Sequence, residues 1–148
     1  MTGITGAAPD AVECVGGIVH DAQGRLLLIR RGTEPSRGCW SVPGGRVEAG
    51  ESDAEATARE VWEETGLRVR VGALAGSVER PTPSGGRFVI RDYVCTLDPG
   101  VDPASARAGD DADAVGWFSP EEAGSLTCTP GLLDALHAWG VLAPPAAT

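Results

Sequence analysis

Apolar and polar positions change rhythm several times along the chain, and each change marks an element. ECVGGIVH, Glu13 to His20, and RLLLIRR, Arg25 to Arg31, are short apolar runs that predict strands. Asp21 and Gly24 lie between them with the chemistry of a tight turn, so a β-hairpin is expected. GTEPSRGCWSVPGG follows, rich in turn residues and ending in Pro43, Gly44 and Gly45, where backbone can approach a ligand closely.

From Asp53 the rhythm becomes helical. Ser52 with Glu55 forms a capping box and Gly66 supplies the left-handed stop, which predicts a helix over 53–65. At 100° per residue, Ala54, Ala58, Val61 and Thr65 gather on one side with Trp62 on its flank, and Glu60, Glu63 and Glu64 gather opposite. The apolar side is expected to face a sheet. LRVRVGAL and RFVIRDYVCTL then read as strands, the second with Phe88, Ile90, Asp92 and Val94 on one face. Asp98 to Asp113 predicts a long loop, DAVGWFS a last strand, and Ser119 with Glu122 a short capped helix. Thr129 and Pro130 open another, with Leu132, Leu133, Leu136 and Trp139 as its apolar face.

Strands interleaved with a few helices, without an internal repeat, indicate one mixed α/β domain over 1–148, with flexible tails expected at 1–11 and 143–148. A length of 148 residues and a hydrophobic fraction of 42% suffice for a single core without staples. The four cysteines are far apart and form no CxxC pair, which suggests buried thiols rather than a zinc or redox site. No secretory pattern and no membrane-length apolar run is present, so a cytoplasmic protein with no membrane partner is expected.

A formal charge of −9 leaves no basic stripe and argues against a nucleic-acid partner. It does not exclude a small phosphate ligand, because divalent cations can bridge two anionic partners. Gly45 to Leu67 concentrates six glutamates, one aspartate and two arginines. Glu60, Glu63 and Glu64 stand at i, i+3 and i+4, a spacing that costs a few tenths of a kcal/mol per like-charged pair, so a positive partner is expected among them. Arg59 can hold one carboxylate beside it. Hard cations such as Mg²⁺, Mn²⁺ or Ca²⁺ suit the remaining oxygens.

Gly45, Glu51, Arg59, Glu60, Val61, Glu63, Glu64, Gly66 and Leu67 stand at the spacing of the Nudix box, and Trp40, Pro43 and Gly44 match its lead-in. The chain therefore resembles the Nudix hydrolases, in particular the small bacterial ADP-ribose pyrophosphatase-like members. The resemblance implies an α/β/α sandwich with a mixed sheet, and attack of water on a phosphorus of a nucleoside diphosphate linked to a further group. It implies Mg²⁺, with Mn²⁺ possible, held by Glu60 and Glu64, with Glu63 and a carbonyl of Gly44 or Gly45 close by. Arg59 would orient a glutamate, and Glu51 would bind metal or stabilise the loop.

A box glutamate is the expected general base, with Asp111 in GDDAD as the rival. Arg46 and Arg31 are candidates for the phosphates, alongside Arg30, Arg37, Arg80, Arg87 and Arg91. Trp40 and Phe88, with Trp117, are candidates for stacking on a base or ribose. ADP-ribose or a nucleotide sugar is the expected substrate. The competing readings are a nucleoside triphosphate-sanitising enzyme and a non-catalytic nucleotide sensor, and the protein is expected to be a monomer or homodimer.

Overall fold

In the computed structural model, which describes residues 10–143, the chain runs β1 (Ala11–Val19), β2 (Leu26–Arg31), β3 (Trp40–Ser41), β4 (Gly44–Arg46), α1 (Asp53–Thr65), β5 (Val69–Pro81), β6 (Arg87–Leu97), β7 (Ala112–Phe118), α2 (Pro120–Gly124) and α3 (Leu132–Ala138). Four strands form a mixed sheet in the order β4-β1-β6-β5, with β1 parallel to β6 and the other pairs antiparallel. A smaller antiparallel sheet has the order β3-β2-β7.

The expected hairpin is reduced to one bridge, His20 with Leu26. Both edges of β1 are taken, by β4 and by β6, so β2 leaves for the second sheet. The turn itself is as the residues dictate: Asp21 Oδ1 accepts the N–H groups of Gln23 and Arg25 at 3.0 and 2.8 Å, and Gly24 has φ +78°. The N-terminal tail also ends sooner than expected, since Ala11 already pairs with Arg87. The rest of the expected tails, residues 1–9 and 144–148, lies outside the described residues.

Strand alternation divides the core in two. Ile18, Leu26 and Leu28 pack with Ala123, Leu132 and Leu136 of α2 and α3. Val19 and Leu27 point the other way, to Val61 of α1 with Leu67, Val69 and Cys95. Helices thus cover both faces of the strands, the α/β/α sandwich. Most of these side chains are fully buried, each worth roughly 1.5–3 kcal/mol of transfer free energy.

α1 is capped as its sequence requires, by the Ser52–Glu55 box and by Gly66 at φ +73°. Its buried face differs from the expected one. Ala56, Thr57, Val61 and Thr65 are buried, whereas Ala54 is exposed and Trp62 is 43% exposed. The two threonines tolerate burial because their hydroxyls donate to the carbonyls of Asp53 and Val61 one turn back, at 2.8 and 2.6 Å. α1 packs on β1, β4 and β5, so the stripe through Ala56, Glu60 and Glu64 turns toward β4 rather than to open solvent.

The segment from Asp98 to Ala112 is also more ordered than a bare loop. It contains a 3₁₀ turn, Pro103–Ser105, and then docks on the end of α1: Arg107 N–H donates to Thr65 O and Gly109 N–H to Glu64 O, at 2.9 and 3.0 Å. These bonds satisfy carbonyls that a helix end leaves without an intrahelical partner.

Candidate active site

Two glycines fix how closely the loop before α1 approaches the helix. Gly17 N–H donates to Pro43 O at 2.9 Å, and Gly44 pairs with Gly16 across β1 and β4. A Cβ on Gly44 would strike the Val15 carbonyl. At Gly45, the space of a side chain is taken by the Glu60 carboxylate. Beside it, Glu64 Oε1 accepts the Gly44 N–H at 2.9 Å. Gly44 thus meets the acidic helix through its donor.

Arg59 holds more than the single carboxylate expected of it. Its Nε and Nη2 clamp Glu51 at 2.6 and 2.9 Å, its Nη1 reaches Glu60 at 3.0 Å and Glu63 at 3.1 Å, and its Nη2 also reaches Arg46 O at 3.0 Å. One planar guanidinium ties three glutamates and the loop backbone together, which its fork of five donors allows. Of the two roles open to Glu51, stabilising the loop is the one visible here. It accepts from Arg59 and from Glu48 N–H at 2.9 Å, and the Arg59 hydrogen bond, first among the causes, lowers its pKa.

The three box glutamates do not share one environment. The Glu60 side chain is 14% exposed and that of Glu63 49%. Burial raises the Glu60 pKa against the opposing pull of Arg59. Glu64 is pushed up to about 7, chiefly by burial, with the Glu60 and Asp111 carboxylates adding to the rise while the Gly44 N–H and Arg31 oppose it. Asp111, distant in sequence, is therefore electrostatically part of the site. It lines, with Glu60, Glu63 and Glu64, an open cleft of about 450 Å³ between α1 and the 107–111 segment.

The expected convergence of Glu60, Glu63 and Glu64 on one point is not found. Among the described residues no three His, Cys, Asp or Glu side chains close around a common centre. Glu63 lies on the outer face of α1, and Arg59 stands among the carboxylates as their counter-charge. The donor set still fits Mg²⁺, which takes oxygen ligands only and needs one or two carboxylates, with water and phosphate oxygens completing the shell. Glu60 and Glu64, half-buried and facing the glycine loop, are the pair that fits.

Of the other candidates, Arg31 donates to Pro35 O at 2.7 Å and acts on Glu64 through its charge. Arg46 adjoins the site through its backbone, and its side chain is exposed. Trp40 packs edge-on against Phe118, with centroids 4.9 Å apart, and carries Arg30 at 5.9 Å. Trp117 donates to Pro103 O at 2.9 Å. Trp40, Trp117 and the half-buried Phe88 are not among the residues that line the cleft. Arg91 is committed to Asp53 and Glu13, at 2.6 Å each.

Two cleft residues escaped the sequence reading. Helical periodicity places Trp62 on the flank of the buried face, and Arg107 sits in a segment of Pro, Ala and Asp that carries no periodic pattern. The signal that the sequence offers is a tryptophan set among Glu60, Glu63 and Glu64.

Comparison with known proteins agrees with this geometry. The family described as NUDIX domain matches residues 11–138. A MutT-like protein of Streptomyces ambofaciens is 38% identical over 129 residues, 85% of this chain and 77% of the relative. An ADP-ribose pyrophosphatase of Methanocaldococcus jannaschii is 40% identical over 104 residues, 70% of this chain and 59% of that protein. Among solved structures, the MutT protein of Methanosarcina mazei Go1 superposes with a TM-score of 0.74 at 26% identity, covering 88% of this chain and 93% of the other.

Proposed function

Because the chain belongs to the Nudix family of pyrophosphohydrolases acting on nucleotide derivatives, we propose that it hydrolyses the pyrophosphate bond of a nucleoside diphosphate linked to a sugar, ADP-ribose first, with Mg²⁺ as cofactor. The observation that carries this reading is the meeting of Glu60 and Glu64 with the Gly44–Gly45 loop, the same two glutamates lining a cleft whose opposite wall holds Asp111.

Glu60 and Glu64 would hold the metal. When bound, Mg²⁺ supplies neutralisation of the diphosphate oxygens and a water of lowered pKa. The chain's own residues supply position. Gly45 lets the Glu60 carboxylate lie against the loop, and the Gly44 N–H fixes one oxygen of Glu64. Arg59 locks Glu60 and Glu51 to the backbone of Arg46, so the acidic groups do not drift apart under their own repulsion. Glu63, at the cleft edge, takes the proton from the attacking water. Arg31 offsets negative charge near Glu64.

The test is release of nucleoside monophosphate with Mg²⁺ from ADP-ribose, other nucleotide sugars and nucleoside triphosphates, compared side by side. Preferential turnover of the sugar derivatives supports the reading. Preference for triphosphates moves the substrate to the sanitising class, and tight binding without turnover of any compound identifies a sensor.

A further inference from the structure

Toward the C-terminal end of α1 the acidic cleft changes character. Trp62 is 43% exposed and lines the cleft next to Arg107, the one cationic side chain in a wall that carries five acidic ones. Arg68 lies over one face of the indole, 5.4 Å from the ring centroid. Gly66, one turn on from Trp62, leaves the room that Arg107 uses: a Cβ there would come 3.1 Å from Nη1 and 3.3 Å from Cζ. Among the described residues Arg107 has no ion-pair partner. A rise of 1.5 Å per residue places Gly66 about 9 Å along the helix from Glu60 and about 3 Å from Glu64, so this end of the cleft adjoins the Glu64 side of a diphosphate held at the two glutamates.

The geometry points to a subsite at Trp62 and Arg107 for the group on the far side of the scissile anhydride, a pentose or similar sugar. Its hydroxyls accept from the guanidinium, and its C–H face packs on the indole face opposite Arg68. The inference rests on the pyrophosphohydrolase reading and names the substrate portion that this end of the cleft selects. Arg107 also lies at the carbonyl end of α1, where a cation favours the helix dipole. That role acts on stability and leaves ligand choice unchanged.

The experiment is calorimetric titration, with Mg²⁺, of α,β-methylene-ADP-ribose and of the terminal methyl ester of α,β-methylene-ADP, which carry the same charge and differ in the far ribose. The wild type should bind the ribose-bearing analogue more tightly. Trp62→Ala and Arg107→Gln should each weaken that analogue about tenfold while leaving the methyl ester within about twofold. Equal wild-type affinity for the two analogues overturns the subsite, as do variants that weaken both alike or only lower Tm. Turnover of ADP-ribose itself is measured in parallel. Sugar-dependent binding without turnover would sink the catalytic reading and leave the subsite standing.

Discussion

The Glu60 carboxylate fills the place where Gly45 has no side chain: a Cβ at that position would lie 2.5 Å from Oε2 and 2.6 Å from Cδ. A flexible carboxylate can move aside, so Gly45→Ala should fold normally, with turnover lowered at least about tenfold as Glu60 is displaced. Gly44→Ala differs because its Cβ would strike the Val15 carbonyl, which is backbone. That variant should lose Tm sharply. Thermal melts and steady-state kinetics on the two proteins check the contrast.

Glu64→Gln keeps the shape and the acceptor for the Gly44 N–H and removes a half-buried charge. Its turnover should fall by two or more orders of magnitude with Tm unchanged or raised. Wild-type rates would exclude Glu64 as a metal ligand.

Metal uptake by the wild type should depend on pH. A Glu64 pKa of about 7 means that a proton competes with the cation below that value, so Mg²⁺ affinity should rise from pH 6 to pH 8, by roughly tenfold. Titration calorimetry at the two pH values reads this directly, and a flat profile would remove Glu64 from the site.

Arg59→Ala leaves Glu51, Glu60 and Glu63 without their shared partner. Turnover should drop about tenfold to hundredfold and Tm should fall. Arg59→Lys restores the charge but not the two-pronged hold on Glu51, and should recover Tm in part while kcat stays low.

Asp92 tests stability away from the cleft. It is 4% exposed, its Oδ1 has no hydrogen-bond partner, and it packs against Gly16; burial raises its pKa to about 6, with Arg80 pulling the other way. The folded protein therefore holds a proton that the unfolded chain releases near pH 4. Stability from this group is fully present below about pH 4 and is lost as pH rises to about 6. Asp92→Asn should raise stability at pH 8 by roughly 1–3 kcal/mol, with the gap closing by pH 4, as read from denaturant melts.

Local rules account for much of the agreement between sequence and structure. Capping boxes at Ser52–Glu55 and Ser119–Glu122, the stop at Gly66 and the turn at Asp21–Gly24 formed as read, because each depends on residues within four positions of one another. The family motif likewise located Glu60, Glu64 and the glycine loop, since it names residue types at set spacing.

What failed was everything decided by distant partners. Helical periodicity put Glu60 and Glu64 opposite the apolar side of α1, but β4 packs alongside that stripe and half-buries both. The expected hairpin gave way because β1 had two better partners more than twenty residues away. No local pattern could bring Asp111 to Glu64 or seat Arg107 over Gly66, because those meetings require the 107–111 segment to satisfy the open carbonyls at the end of α1. The sequence by itself determined which side chains carry the chemistry and where the helix that bears them begins and ends; the tertiary structure decided which of them are desolvated and which share a cleft, because burial and charge coupling depend on atoms that the chain supplies from elsewhere.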